Sequence, residues 1–235
     1  MAHEVELFTD FPVALDSLDH LYPHGTKGGI LHSPGFVRKC EQVLGEKLAV
    51  LDLGCAGGGF IGDFADRGHL AVGLEGSDYC RKHGVGEWKG GSDYLFTCDV
   101  SKPFEVQRGG KRAEFDLIMC WELLEHLEEG SLLQFFENVW KHLARDGLFV
   151  GSVSTRPSRK CPNGAQYHVT IRPQGWWRAQ FRRHGFRWID DGPFEMADYP
   201  PGNITSDSRG KTYQAFIRNH TGNMGFTFVV QKVNR

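Results

Sequence analysis

Short apolar runs alternate with amphipathic stretches along most of the chain. The runs are rich in β-branched or aromatic residues and end in glycine or polar turns, which predicts buried strands. The predicted strands are LAVLDL (48–53), HLAVGLE (69–75), YLFTCDV (94–100), FDLIMC (115–120), LFVGSVS (148–154) and FRWID (186–190). Helical spacing of apolar positions predicts helices over 35–44, 60–68, 131–143 and 173–185. Ser131 is the expected N-cap of the third helix.

This alternation predicts an α/β fold, a doubly wound and mainly parallel sheet with helices on both faces. We interpret residues 1–235 as one domain with its core at 48–190. Residues 1–34 lack a sustained period and are expected to be irregular, and the turn-rich stretch 191–212 is expected to be a loop. A final antiparallel hairpin is predicted within 213–232. Ligands of such sheets bind beyond the carboxyl ends of the strands, so the functional residues should follow the strands.

Composition narrows the class of protein. Of the 235 residues, 40% are hydrophobic, which is enough for a large core, and the net charge of -2 excludes a strongly basic or acidic protein. The six cysteines are scattered without a CxxC pair, which favours reduced thiols over a disulfide framework or a zinc site. The sequence shows neither a signal peptide nor an uncharged apolar stretch of about 20 residues. We therefore expect a soluble, cytoplasmic protein.

Successive strand ends carry residues suited to a nucleoside-like ligand. VLDLGCAGGGF (50–60) ends the first strand with Asp52 and several glycines, which let the backbone approach a ligand closely. Glu75 ends the second strand, where a carboxylate can accept both hydroxyls of a ribose. Asp99 ends the third strand and could accept the exocyclic amine of adenine. A nicotinamide enzyme uses a similar turn, but Ala56 stands where that fingerprint requires a glycine.

The ordered set LDLGCAGGG, GLEGSD, CDV, FDLIMCWELLEHL and LARDGLFVGSVS resembles class I S-adenosylmethionine-dependent methyltransferases over residues 48–190. The resemblance implies a seven-stranded Rossmann-like sheet with an antiparallel last strand, and S-adenosylmethionine as the cofactor. It assigns the glycine turn to the methionine and ribose, the second strand end to the ribose hydroxyls and the third to adenine. The end of the fourth strand would cover the other side of the cofactor. The implied cofactor-binding residues are Asp52, Gly54, Cys55, Ala56, Gly57, Glu75, Gly76, Asp99, Val100, Cys120 and Trp121.

One departure from the family concerns the glycine turn. The commonest family pattern has its second glycine where Ala56 stands in this chain. Turns of the form GCAGG also occur in the family, so the departure affects the implied cofactor site only slightly.

WELLEHL (121–127) follows the fourth strand directly. Glu122, Glu125 and His126 stand at i, i+3 and i+4, so a helix would place them on one face. Together with His168, from the segment after the fifth strand, they could ligate Mg²⁺ or, better, Mn²⁺. This set resembles the metal-binding residues of the small-RNA 3′-terminal ribose methyltransferases.

Two interpretations without a metal stay open for the same segment. A hydroxyl acceptor must lose its proton during transfer, which makes His126 a candidate general base, with Glu122 and His168 as further candidate catalytic residues. WELLEHL also resembles the corresponding segment of many small-molecule methyltransferases that bind no metal. There the glutamates favour the start of a helix through its dipole.

The acceptor side carries an excess of positive charge. The span 156–187 contains no Asp or Glu, and its basic residues are Arg156, Arg159, Lys160, Arg172, Arg178, Arg182, Arg183 and Arg187. Such a span would attract an anionic acceptor. The alternative is that the same residues form a solvated face whose positive charge balances the acidic segment at 122–129. Trp176 and Trp177 are either rim residues that stack on a sugar or base, or packed helix anchors.

The segment 20–36 is unusually rich in His and Gly, and such N-terminal segments often fold over the pocket in this family. Its candidates for cofactor or acceptor contact are Tyr22, His24, Thr26 and Lys27.

We expect methyl transfer to oxygen, with a sugar hydroxyl of a glycan or saccharide precursor as the first-choice acceptor. A ribose 2′-hydroxyl at an RNA end, using the metal set, is the alternative, and a small molecule of another acceptor type is the third. A non-catalytic module with this fold is the interpretation from a different class. The intact cofactor residues argue against it.

Overall fold

The structure, a computed structural model, describes residues 5–28, 31–199 and 225–233. Its strands are β1 (Val5–Phe8), β2 (Ala49–Leu53), β3 (Leu70–Glu75), β4 (Leu95–Thr97), β5 (Glu105–Arg108), β6 (Lys111–Arg112), β7 (Phe115–Trp121), β8 (Leu143–Ser154), β9 (Phe186–Trp188) and β10 (Gly225–Lys232). Its α-helices are α1 (Leu18–Leu21), α2 (His24–Gly28), α3 (Pro34–Leu44), α4 (Gly59–Ala65), α5 (Tyr79–His83), α6 (Leu132–His142) and α7 (Gln174–Arg183). Single 3₁₀ turns cover Gly86–Trp88, Leu124–His126, Glu129–Ser131 and Met196–Asp198.

Seven strands form the main sheet in the order β4-β3-β2-β7-β8-β10-β9. Neighbours from β4 to β8 are parallel, whereas β10 runs antiparallel to both β8 and β9. The predicted fold class, a doubly wound and mostly parallel sheet with an antiparallel C-terminal strand, is therefore confirmed. The order of strands along the chain reverses between β2 and β7, so the carboxyl ends of these two strands border the crevice where ligands of such sheets bind.

Apolar side chains cover both faces of the sheet. One core cluster packs α6 and α7 on the sheet through residues such as Phe136 and Phe181, and the other packs α3 and α4 through Phe36 and Phe64. Burying each such ring stabilises the fold by about 1.5–3 kcal/mol. At Gly151 in β8, a Cβ would lie 2.0 Å from the carbonyl oxygen of Cys120, so only glycine permits the close approach to β7.

The N-terminal region departs from the expectation that residues 1–34 are irregular. Strand β1 joins β5 and β6 in a separate three-stranded antiparallel sheet, and α1 and α2 each form about one turn. The expectation was wrong here because β1 pairs with residues about 100 positions away and one-turn helices are too short to establish a period.

The start of α6 and the C-terminal hairpin differ from the predictions or lie partly outside the described residues. Ser131 stands at the N-cap of α6 but makes no capping hydrogen bond with its side chain, because a 3₁₀ turn leads into the helix and Ser131 already has helical dihedral angles. Of the predicted hairpin, β10 is present, and its first strand at 213–219 lies outside the described residues, as does 200–212 of the predicted loop.

All six cysteines are buried and unpaired. Over the described ranges, no helix has the length and apolar character needed to cross a membrane.

Candidate active site

A tight turn rich in glycine follows β2 and is fixed against β3. The N–H groups of Gly54 and Cys55 both donate to the carbonyl of Leu74, at 2.8 and 3.1 Å. Gly54 has φ 82°, and a Cβ there would lie 3.2 Å from Leu123 Cδ1, so backbone and packing both favour glycine. Ala56 also adopts a left-handed φ of 46°, and its carbonyl accepts the indole N–H of Trp88 at 2.8 Å. The turn is thus held in one conformation from two sides.

Two buried carboxylates lie beside this turn. Glu75 Oε2 accepts the N–H of Ala56 at 2.7 Å, and Oε1 accepts that of Ser77 at 2.9 Å. Asp52 is 2% exposed, and its Oδ1 has no hydrogen-bond partner among the residues that the structure describes. Burial raises the pKa of Asp52 to about 8, and the negative charge of Glu75 adds to the rise. Burial also raises the pKa of Glu75, against the opposing effect of its two N–H donors.

The other predicted cofactor residues have mixed surroundings. Asp99 is half-buried, and its Oδ1 accepts the N–H and the hydroxyl of Ser101 at 3.0 and 2.6 Å. Val100 and Cys120 are buried in the core, and the Cys55 thiol turns toward Gly73 of β3, so Cys55 offers the crevice its backbone only.

Trp121 lies on the α3 side of the sheet. Its ring packs edge-on against Phe36 and Tyr199 at 5.6 and 5.7 Å, and its buried indole N–H lacks a partner within the described part of the chain. From the segment after β7, the side chain of Leu123 lies against Gly54 of the glycine turn, a contact that sequence reasoning missed. Contact between Trp121 and the cofactor therefore stays a prediction.

The chain turns sharply where β7 ends. Glu122 has φ 52°, and only Leu124–His126 forms a 3₁₀ turn, so the expectation of an α-helical face for Glu122, Glu125 and His126 was wrong. The exposed side chain of Glu122 is bonded to β8, because its Oε1 accepts the hydroxyl of Ser152 at 2.8 Å. The left-handed residue ends the strand before a helix can start.

Glu125, His126 and His168 nevertheless come together, with one ligand atom from each within 4.8 Å of the others. Glu125 is fully buried; its Oε1 accepts the N–H of Ser154 at 2.9 Å, and its Oε2 has no partner in the described ranges. The rings of His126 and His168 are 4.9 Å apart at 62°. The group does not include Glu122, so three of the four predicted metal ligands lie together.

Backbone contacts bring the distant His168 into this group. The carbonyl of Glu125 accepts the N–H groups of Val169 and Thr170, at 2.8 and 3.0 Å. His168 Nδ1 is 2.7 Å from the carbonyl oxygen of Arg156, to which it must donate. His168 Nε2 is therefore left with its lone pair, and burial lowers the pKa of His168.

Asp19, which no sequence pattern indicated, forms a hydrogen bond with the Nδ1 atom of His126. Asp19 Oδ2 lies 2.7 Å from His126 Nδ1. Burial alone would lower the pKa of His126, but the hydrogen bond and charge of Asp19, with the charges of Glu125 and Glu122, raise it overall. Burial, reinforced by the charge of Glu122, raises the pKa of Glu125 to about 8.

The basic span is partly neutralised by acidic residues. Arg172 pairs with Glu129 and Arg178 with Asp190, which agrees with a solvated, ion-paired face over that part of the span. Trp177 is fully buried, and Trp176 packs on it at 4.9 Å and lies under Arg172, so both are packed anchors of α7.

The four N-terminal candidates contact other parts of the protein. The carbonyl of Tyr22 accepts the hydroxyl of Tyr167 at 2.6 Å, and His24 Nε2 lies 2.7 Å from Arg159 Nη1. The carbonyl of Thr26 accepts the thiol of Cys80, and Lys27 Nζ lies 5.2 Å from the centre of the Tyr79 ring. Their roles toward a ligand stay predictions.

A family model described as "Methyltransferase domain" matches residues 34–192, which include the glycine turn, Glu75 and the histidine pair. The chain belongs to this methyltransferase family. This match confirms the family that the sequence resembles, the class I, Rossmann-like methyltransferases, and confirms that the protein is a methyltransferase. Among curated proteins, none matches the chain.

Solved methyltransferase structures share the fold of this methyltransferase. An S-adenosylmethionine-dependent methyltransferase from Mesorhizobium loti has a TM-score of 0.53 at 18% identity, covering 83% of this chain and 95% of its own. The glycopeptide N-methyltransferase MtfA, complexed with sinefungin, has a TM-score of 0.51 at 17% identity, with 86% and 94% covered. The Burkholderia thailandensis 1,6-didemethyltoxoflavin-N1-methyltransferase has a TM-score of 0.52 at 17% identity, with 85% and 77% covered. At these identities the likeness concerns the fold.

Proposed function

We propose that this methyltransferase binds S-adenosylmethionine at the carboxyl ends of β2, β3 and β4 and methylates a hydroxyl oxygen. S-adenosylmethionine supplies the methyl group from its sulfonium. The two buried carboxylates fit this cofactor, because each has an oxygen that can still accept a hydrogen bond and the cofactor has N–H and O–H groups to donate. Both oxygens of Glu75 accept one N–H and retain a lone pair for the ribose hydroxyls. Asp52 Oδ1, buried and unpartnered in the described structure, suits the ammonium of the methionine part.

The remaining cofactor contacts follow from the same strand ends. The turn and the end of β3 would present backbone to the cofactor, through Gly54, Cys55, Ala56, Gly57 and Gly76. Asp99 and Val100 would meet the adenine, and Trp121 would cover the opposite side.

The choice of oxygen rests on one observation, the grouping of Glu125, His126 and His168. A neutral amine attacks through its lone pair, whereas a hydroxyl must lose its proton or have its pKa lowered. A divalent ion held by these three residues would lower the pKa of the acceptor hydroxyl. Two imidazoles and a carboxylate suit Mn²⁺ better than Mg²⁺.

The surroundings of the three residues also fit metal ligation. Metal-binding histidines usually donate their second N–H to an oxygen, as His126 Nδ1 does to Asp19 and His168 Nδ1 to Arg156. The unpartnered Oε2 of Glu125 is a buried carboxylate oxygen that an ion would satisfy. Glu122 would join as a fourth ligand only by releasing Ser152.

As acceptor we propose a sugar hydroxyl of a glycan or saccharide precursor, with an anionic group nearby. The segment that carries His168 also carries the exposed residues Arg156, Arg159 and Lys160, which favour a phosphate or carboxylate beside the acceptor. A ribose 2′-hydroxyl at an RNA end is the second candidate, favoured by the same three ligands and the same basic segment.

The test is a methyl-transfer screen over free, phosphorylated and nucleotide-linked sugars and short RNAs. EDTA should abolish transfer and Mn²⁺ should restore it. His168→Ala and Glu125→Gln should be inactive, while the control His184→Ala, at the end of α7, should retain activity. If transfer resists chelation but requires His126, the metal hypothesis is wrong and His126 acts as a general base. Methylation of amines alone would overturn the choice of oxygen, and failure to bind S-adenosylmethionine in calorimetry would revive the non-catalytic module.

A further inference from the structure

Residues 9–27, which we call the N-terminal strap, lie across the carboxyl ends of the parallel strands. On the cofactor side, the carbonyl of Phe11 accepts the N–H of Asp99, and the N–H of Ala14 donates to the carbonyl of Gly76, both at 2.9 Å. On the acceptor side, Asp19 bonds to His126 and the carbonyl of Tyr22 accepts the hydroxyl of Tyr167. The strap thus contacts both halves of the candidate site.

Asp19 reaches His126 because α1 is capped at a defined point. Ser17 Oγ accepts the N–H of His20 at 3.1 Å and starts the single turn that carries Asp19. The carboxylate and the imidazole are both mostly shielded from water, with 29% and 19% of their side-chain surfaces exposed. In such surroundings a charge-assisted hydrogen bond is short and strongly orienting, as the 2.7 Å distance indicates.

The bond decides which nitrogen of His126 is available. A carboxylate accepts, so in the neutral imidazole of His126 the proton lies on Nδ1 and Nε2 keeps its lone pair. His168 is held in the same way by the carbonyl of Arg156. Both imidazoles therefore have Nε2 as their available atom, and they belong to the group whose ligand atoms lie within 4.8 Å of one another.

We propose that Asp19 is a positioning residue, which the N-terminal strap delivers to fix the tautomer and ring orientation of His126 for binding a divalent ion. The inference rests on the proposed metal-assisted function of the same site. It adds that the site is complete only while the strap lies across the strand ends, because Asp19 comes from the strap whereas the three ligands come from the body of the fold. The same strap contacts Gly76 and Asp99, so covering the cofactor and completing the acceptor site become one event.

The test compares Mn²⁺ binding by the wild type, Asp19→Ala, Asp19→Asn and Asp19→Glu, by calorimetry and by the paramagnetic resonance signal of free Mn²⁺. Loss of such an outer partner typically weakens metal affinity about 10–100-fold, which is the effect we expect for Asp19→Ala. Asp19→Asn should lose less, because its amide oxygen still accepts, and Asp19→Glu should recover part of the affinity. Asp16→Ala, on the exposed side of the same strap, is the matched control and should bind as the wild type does.

A second readout is independent of the metal. Nitrogen-15 spectra of the histidines should show His126 as the Nδ1–H tautomer in the wild type and as a mixture in Asp19→Ala. If the wild type binds no Mn²⁺ although His126 is the expected tautomer, the proposed metal site is wrong and Asp19 orients His126 for another role. If the wild type binds Mn²⁺ and both Asp19→Ala affinity and tautomer are unchanged, the positioning role is wrong while the proposed function stands.

Discussion

The cofactor side and the acceptor side of the site are built in different ways. Asp52, Glu75 and Asp99 stand at the ends of neighbouring parallel strands, so the sheet itself brings them together. Glu125, His126 and His168 come from two loops, and Asp19 comes from a strap more than 100 residues away. The first arrangement is fixed by the core, whereas the second depends on a few hydrogen bonds between connecting segments. The two sides should therefore fail separately when mutated.

The largest effect is expected from Glu125→Gln on the acceptor side. The substitution preserves shape but removes the charge that would hold an ion, so turnover should fall by about 1,000-fold. Affinity for S-adenosylmethionine should stay within a factor of about two, since no cofactor contact is lost. Turnover assays and calorimetry on the same preparation check both values. A matching loss of cofactor affinity would contradict the separation of the two sides.

Glu75→Ala should impair the cofactor side and lower the affinity for S-adenosylmethionine. Two hydrogen bonds from the cofactor to a buried carboxylate would be lost, which costs about 3 kcal/mol, or roughly 100-fold in affinity for S-adenosylmethionine. Mn²⁺ affinity should be unchanged, because Glu75 lies outside the group of three candidate metal ligands. Calorimetry with each ligand checks both values. Glu75→Gln is the control for size, and its affinity should fall between wild type and Glu75→Ala; equal affinity in all three would contradict the assignment of Glu75.

The same contrast explains what the sequence could predict. The main strands of the parallel part, and the residues that close β2, β3 and β4, can be read from local apolar runs and the turns after them, and the predicted strands agree with the sheet. The order of the strands in the sheet was not predicted, because local runs do not show which strands pair. The small sheet of β1, β5 and β6 was missed because its strands are short and pair over long separations. Asp19 was missed because an acid in DSLDHL has no pattern that distinguishes it from Asp16, and only its position opposite His126 gives it a role.

Glu122 marks the limit of reasoning from spacing. The i, i+3, i+4 pattern predicted one helical face, but a left-handed residue at 122 turns its side chain toward Ser152 and leaves the other two with His168. Periodicity could not reveal this, because it assumes the regular backbone that the residue interrupts.

Glu122→Gln sharpens this distinction with a smaller effect. The amide keeps an oxygen that can accept the hydroxyl of Ser152, and the residue lies outside the group of three ligands. We expect less than about a fivefold change in turnover, from the loss of one nearby charge. A loss comparable to that of Glu125→Gln would restore Glu122 as a metal ligand.

The smallest effect is expected from Tyr167→Phe, which tests whether the strap joins the two sides. Only the hydroxyl that donates to Tyr22 is lost, because the ring keeps its place beside His24 and His126. One hydrogen bond contributes about 1 kcal/mol, so hydrogen exchange at strap amides should accelerate about fivefold while the melting temperature stays nearly constant. The amide of Ala14 reports on the cofactor side, since it donates to Gly76. Faster exchange there shows that the strap opens as one unit; faster exchange confined to Tyr22 and its neighbours would mean that the two sides are covered independently.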